Sequence, residues 1–346
     1  MVIGIIGAGI SGLTAGRLLA KAGHEVTIFE KSRGYGGRMA TRYAGKDLNE
    51  KLDHGLAYFK AESEEFKEFT AELLEKNLIR VWGRNFSGYD GENLLNRNPN
   101  ESNSTVFTSV NGMNAIGKYL GRWVDVRTNT RVGGLTYFGT NRSRKRSWMI
   151  NLTSSEAVGV DAVILAMPAP QAYGILNTTI DEINTLKIVR KIDEVHYRPA
   201  FSLMAGYGDA PSPNWEGIVC VNSILDFISN ERSKRNETGE TSFVIQANET
   251  FTRKHQNSDR ETVIREMLGE FTRIAGGFVS APEWQQLHFW RYSRAKKVIG
   301  DHYYFELEDE DAPLALIGDY YQGNTIDNAY SSGYRLAKDW LKKFDK

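Results

Sequence analysis

Val2-Ile3-Gly4-Ile5-Ile6-Gly7-Ala8-Gly9-Ile10-Ser11-Gly12-Leu13-Thr14-Ala15 reads as an apolar strand, a glycine turn and the first turns of an Ala/Leu helix. That is the context a dinucleotide fingerprint requires. Gly7 allows the tight turn, Gly9 lets backbone approach a pyrophosphate, and Gly12 lets helix and strand pack closely. The phosphates then meet the unpaired N–H groups and positive dipole end of the helix. A second strand, Glu25-Val26-Thr27-Ile28-Phe29, ends at Glu30, 18 residues beyond Gly12, where a carboxylate suits ribose hydroxyls.

Nicotinamide and flavin dinucleotides share this fingerprint, so the following segment decides between them. It runs Lys31-Ser32-Arg33-Gly34-Tyr35-Gly36-Gly37-Arg38-Met39-Ala40-Thr41-Arg42. A glycine pair and a guanidinium just after the ribose-binding strand bring flexible backbone and positive charge to the same pyrophosphate. Here the chain resembles the flavin amine oxidase superfamily, whose members carry Gly-Gly-Arg at this point. Near the C-terminus, Leu314-Ala315-Leu316-Ile317 reads as a short buried strand. Gly318-Asp319 follows, and then a helix with apolar positions at Ile326, Ala329, Gly333, Leu336, Ala337 and Trp340. The resemblance places Gly-Asp beside the flavin ribityl chain and aims the helix N-terminus at the isoalloxazine. A helix N-terminus favours the negative charge of a reduced flavin by about 0.3–2 kcal/mol.

Three further segments resemble the renalase-like branch of that superfamily: Leu52-Asp53-His54-Gly55-Leu56-Ala57-Tyr58-Phe59, Val163-Ile164-Leu165-Ala166-Met167-Pro168-Ala169-Pro170-Gln171-Ala172, and His288-Phe289-Trp290-Arg291-Tyr292. Leu56-Ala57 departs from the Ala-Gln of the branch. The resemblance implies a noncovalently held FAD contacted by Gly7, Gly9, Ile10, Ser11, Gly12, Glu30, Lys31, Gly37, Arg38, Met39, Val132, Gly318, Asp319, Thr325, Ile326 and Ala329. It implies an oxidase that returns aberrant dihydro-NAD(P) isomers to NAD(P)+ by hydride transfer to flavin N5, with O2 reduced to H2O2. Tyr58, Trp290, Arg291 and Tyr292 are the catalytic-pocket candidates. An amine oxidase or desaturase is the alternative enzyme, and an FAD-bearing binding or redox-scaffold protein the alternative outside catalysis.

Amine oxidases of the superfamily set an aromatic residue before the C-terminal helix as one wall of a substrate cage. Thr325 stands at that position, so a cage needs Tyr320 or Tyr321 to fold back.

The implied architecture is an α/β, Rossmann-like FAD-binding domain, discontinuous in sequence, with a second α+β substrate domain. Residues 1–60, 105–170 and 301–346 are assigned to the first, and 61–104 and 171–300 to the second. In the middle, Val124–Arg127, Gly134–Phe138, Trp148–Leu152 and Val160–Leu165 read as strands of one small meander. A basic run at its turn, Arg142, Arg144, Lys145 and Arg146, reads as a solvated hairpin tip. The second region carries amphipathic helices at Glu62–Lys76 and Glu261–Ile274, strands at Ala200–Met204 and Phe243–Ala247, and a polar loop at Glu231–Asn236.

Composition narrows the partners. The 346 residues balance 43 Lys and Arg against 43 Asp and Glu, which removes any global attraction to nucleic acid or anionic membrane. A small molecule is the expected partner, with O2. One cysteine, Cys220, offers neither a disulfide nor a metal cluster and reads as a core residue remote from the flavin motifs. The six histidines lack metal-site spacing, so no metal is expected. Without a signal segment or an apolar run of membrane length, the chain reads as cytoplasmic.

Overall fold

The computed structural model describes residues 1–83, 86–98, 104–138, 145–179, 189–235, 239–300, 302–307 and 312–344. Its first sheet has six strands in the order Tyr304–Glu306, Leu314–Ile317, Ala162–Leu165, Val2–Ile6, Glu25–Phe29, Asp125–Arg127. All neighbours pair in parallel except the edge strand Tyr304–Glu306. The first strand therefore lies mid-sheet with its chain successor on one side and a distant strand on the other. A crevice at the carboxyl ends of the strands follows from such a reversal.

Alternation along Val2–Ile6 divides the interior. Ile3 and Ile5 face the helices Ile10–Lys21, Asn114–Leu120 and Ile326–Phe344, while Ile6 faces the antiparallel meander Val132–Tyr137, Trp148–Leu152, Ala157–Val160. The sheet is covered on both sides. The meander differs from the expected one at its ends, because Asp125–Arg127 and Ala162–Leu165 leave it to pair with Glu25–Phe29 and Val2–Ile6. Ala162–Leu165 is apolar and wholly buried in mid-sheet, and Asp125–Arg127 forms the sheet edge beside Glu25–Phe29. In the turn, Arg142 and Arg144 lie outside the described residues, and Arg146 is anchored bidentately on Asp161 at 2.8 and 2.9 Å.

The second sheet has seven strands, ordered Trp284–Ala295, Tyr197–Gly206, Ser242–Ala247, Leu225–Asn230, Gly217–Cys220, Ser87–Tyr89, Leu94–Leu95. One face buries Phe201, Leu203, Phe243 and Ile245 under the helix Arg260–Ala275, whose apolar side supplies Val263, Met267, Phe271 and Ile274. Asp259 caps that helix through Thr262 N–H at 2.8 Å. The helix Glu64–Glu75, capped by Ser63, instead buries Phe66, Phe69 and Leu73 beside Leu13, Tyr330 and Trp340 on the nucleotide-type layer.

The expected polar loop at 231–236 is a correction. Asn236 lies outside the described residues, but Glu231–Lys234 forms a helical turn, and Glu231, Lys234 and Arg235 are almost wholly buried with Asp53. Lys234 Nζ lies 2.6 Å from Glu231 and 3.7 Å from Asp53, while Arg235 meets Asp53 at 3.0 Å and Glu231 at 3.2 Å. Asp53 also accepts from Thr41 Oγ1 and from Met113 N–H, both at 2.8 Å. Two positive and two negative charges cancel. Burial alone would raise the Asp53 pKa, but Arg235 and Lys234 outweigh it and hold the carboxyl below its usual range.

The helix Ile326–Phe344 crosses Ile10–Lys21 at Gly333, where any Cβ would collide with the Ser11 carbonyl. Gly333→Ala should therefore destabilise the fold by about 1–3 kcal/mol in urea unfolding. Gly269 in the helix Arg260–Ala275 has open space around it. Gly269→Ala should stabilise by about 0.4–1 kcal/mol, and equal effects at both positions would deny the close crossing.

Candidate active site

Two chain segments 281 residues apart meet at the carboxyl ends of the first sheet. The turn after Val2–Ile6 is held by Gly7 N–H donating to Phe29 C=O at 2.9 Å, with Gly7 at φ +110, where a side chain would also strike the Ala166 carbonyl. Gly9 begins the helix with no side-chain cap, and a Cβ there would enter open space. The first N–H groups of the helix, around Ile10, Ser11 and Gly12, thus face an open cradle. A pyrophosphate fits it.

Glu30 is buried at the edge of that cradle and accepts from Ala8 N–H at 2.9 Å and Ser32 N–H at 2.8 Å. Lys31 reaches outward to Gln171 at 3.1 Å, and burial lowers its pKa. Gly37 packs its backbone against Gly9. Met39 is a core residue beneath them, and Val132 begins the meander at a bulge opposite Leu152.

Arg38 donates to both oxygens of Asp319 at 2.7 Å and to the Ser293 carbonyl at 3.2 Å. Tyr197 adds a longer bond to Asp319 at 3.4 Å. Burial would depress the Arg38 pKa, yet the Asp319 charge and hydrogen bonds hold it above the ordinary value. Arg38 still keeps 31% of its side chain accessible although protein surrounds it. Arg38 and Asp319 both follow carboxyl ends of strands in the first sheet, so the clasp lies at the crevice there.

Gly318 donates to Ser332 Oγ at 2.9 Å, which fixes Asp319 against the last helix. Thr325 caps that helix: its Oγ1 accepts from Asn328 N–H at 3.2 Å and donates to Asn328 Oδ1 at 2.7 Å. Ile326 is half-buried, and Ala329 is buried in the first turn. Tyr320 and Tyr321 are fully buried and packed on each other at 4.8 Å. Neither folds back to the cleft.

The four pocket candidates sit in different side-chain groups. Trp290 lies against His54, stacked at 5.2 Å and donating to its carbonyl at 2.8 Å. His288 meets both rings edge-on at 4.8 and 4.5 Å. Tyr58 belongs to a separate aromatic group with Trp82, Phe86 and Phe227. Tyr292 packs on Tyr197 at 5.7 Å, and Arg291 is exposed. A bulge between the Arg198–Arg294 and Ala200–Trp290 pairs interrupts the strand at residues 291–293. Tyr197, Ser293 and Ser332 also hold the site; Ser293 adjoins the His288–Tyr292 segment and Ser332 lies in the C-terminal helix, whereas no motif flanks Tyr197.

His54 is 4% exposed, with Nδ1 lacking a partner. Burial first, then His288 and Arg42, push its pKa down to about 3. Burial and Arg42 lower that of His288 as well.

A glycine cradle at a helix N-terminus, a buried acid at the ribose position and an Arg–Asp clasp facing a second helix start define the class of flavin-dependent oxidoreductases. The comparisons narrow this. Residues 84–341 match the profile described as flavin containing amine oxidoreductase, and residues 5–73 that of an NAD(P)-binding Rossmann-like domain. The chain belongs to the flavin-containing amine oxidoreductase family. Cyclohexylamine oxidase from Brevibacterium oxydans has a similar structure, with TM-score 0.73 and 11% identity over 99% of each chain. Putrescine oxidase bound to putrescine matches at 0.71, with 13% identity over 99% of each chain. A 4,4'-diapophytoene desaturase of Staphylococcus aureus is 59% identical over 39 residues, which is 11% of this chain and only 8% of the desaturase.

Two outcomes follow from the geometry. Glu30→Ala should weaken FAD retention about ten- to a hundredfold in titrations of apoprotein, as expected for a charged acceptor worth about 1.5–3 kcal/mol. Unchanged affinity would place the ribose elsewhere. For His54, the folded state stays neutral while the unfolded chain takes a proton below the ordinary value of 6.5. Its contribution is therefore full above pH 6.5 and is lost as pH falls toward about 3. Between pH 6 and 4, His54→Gln should flatten the loss of unfolding free energy by up to about 1.4 kcal/mol per pH unit. Parallel pH profiles for variant and parent would contradict the buried neutral imidazole.

Proposed function

We propose that this chain is an FAD-dependent oxidase of dihydropyridines such as 2- and 6-dihydro-NAD(P), with FAD held noncovalently. When bound, FAD supplies a hydride acceptor that O2 reoxidises to give H2O2. The observation carrying the reading is that, among the described residues, no ring fills the cage position before the last helix: Thr325 is spent on capping it, and Tyr320 and Tyr321 are locked in the core. His54 points the same way. A base with a pKa of about 3 is poorly matched to removing a proton from an ammonium group, whereas a dihydropyridine needs no base.

The flat pair of Trp290 and His54 offers a wall against which an aromatic ring can stack and so be held for transfer. Asp319, clasped by Arg38, and the capped helix beyond it would hold the ribityl side of the cofactor, and the helix N-terminus would favour negative charge on a reduced flavin. Noncovalent attachment is supported by Cys220, which is buried in the strand Gly217–Cys220 with its thiol pushed up to about 12 by burial.

Mixed anaerobically, 2- or 6-dihydro-NAD(P) should bleach the flavin band within seconds, and 4-dihydro-NAD(P)H and amines about a hundredfold more slowly, the scale of a misplacement near 1 Å. Faster reduction by putrescine or cyclohexylamine than by any dihydropyridine would make the protein an amine oxidase instead.

A further inference from the structure

The second sheet contains an arrangement that the flavin site does not use. In the antiparallel pair formed by Tyr197–Gly206 and Trp284–Ala295, Arg198 lies directly opposite Arg294. Facing residues of such a pair bring their Cβ atoms to about 4.5–5.5 Å, and like charges there repel. Among the described residues, neither guanidinium has a hydrogen bond or an ion pair within 4 Å. Their acidic neighbour, Asp226, feels both arginines but binds neither, and the Glu249 beyond it is already engaged by Arg253 and Lys296.

Arg294 keeps an open surface, yet burial, followed by the charge of Arg198, depresses its pKa. Tyr58 and Arg38 also lie near enough to act on it. Arg294 thus lies in electrostatic range of both the clasp arginine and Tyr58, and the strand register holds Arg198 beside it. Two adjacent guanidiniums with no carboxylate partner are a ready fork for oxyanions.

We propose that Arg198 and Arg294 form an anion clamp in the substrate cleft, taking a phosphate or carboxylate group of the substrate. The inference rests on the redox reading above for what the cleft holds, and it narrows the substrate to an anionic molecule. The cofactor's own pyrophosphate is the other source of such a group. It is already met by the cradle at Gly9, whereas both arginines belong to the second sheet.

The test uses holoenzyme saturated with FAD and inorganic pyrophosphate as probe, followed by calorimetric titration and thermal unfolding. The parent should bind pyrophosphate and gain in melting temperature. Arg294→Gln and Arg198→Gln should each bind it at least about tenfold more weakly, with FAD retention unchanged. In turnover, Arg294→Gln should raise KM for 2-dihydro-NAD(P) far more than for the uncharged 2-dihydronicotinamide riboside. Equal pyrophosphate binding by parent and both variants, or none by the parent, would overturn the clamp. Loss of pyrophosphate binding in step with loss of FAD would assign the arginines to the cofactor and overturn it equally. Pyrophosphate binding needs no turnover, so a flavin that no dihydropyridine bleaches sinks the redox reading and leaves this result legible by itself.

Discussion

The Arg38–Asp319 clasp is the constraint on which the rest of the molecule is arranged. It joins the Gly-Gly-Arg segment to the Gly-Asp segment across 281 positions, with both bonds at 2.7 Å. Breaking such a pair leaves one buried charge uncompensated, so each segment is held where the other needs it. The second sheet is tied in at the same point, because Arg38 also bonds the Ser293 carbonyl and Asp319 receives Tyr197. Glycine turn, helix start and second sheet are thereby set in one register.

Much of this was legible because it is local. The fingerprint at Gly7, Gly9 and Gly12 demands its strand and helix within a few residues, and the strand before Gly318 is apolar throughout. The helices Glu64–Glu75 and Arg260–Ala275 showed their amphipathic pattern directly. What escaped depends on tertiary context. Glu231, Lys234 and Arg235 have the composition of a solvated turn, and only Asp53, far off in sequence, makes their burial tolerable. The Arg198–Arg294 apposition is a matter of strand register across a bulge, which no local pattern encodes. The directions of Trp290, Arg291 and Tyr292 were not legible for a related reason, since they lie at that same bulge.

The structural neighbours share nearly the whole chain with this protein at 11–13% identity. A fold of this kind hosts many chemistries, so its substrate logic has to be read from the cleft. There the ionisable groups include the neutral His54 imidazole, the Arg198 and Arg294 guanidiniums and the Asp226 carboxylate beside them.

The buried quartet of Asp53, Glu231, Lys234 and Arg235 has a consequence for divergence. Replacing any one member alone strands a net charge in the interior, at a cost of about 3–5 kcal/mol, a large part of the stability of an ordinary domain. Replacing an acid and a base together restores neutrality. Drift through this part of the protein is therefore barred one step at a time and open two steps at a time, so in any lineage of related chains the four positions should change as matched pairs or stay as they are.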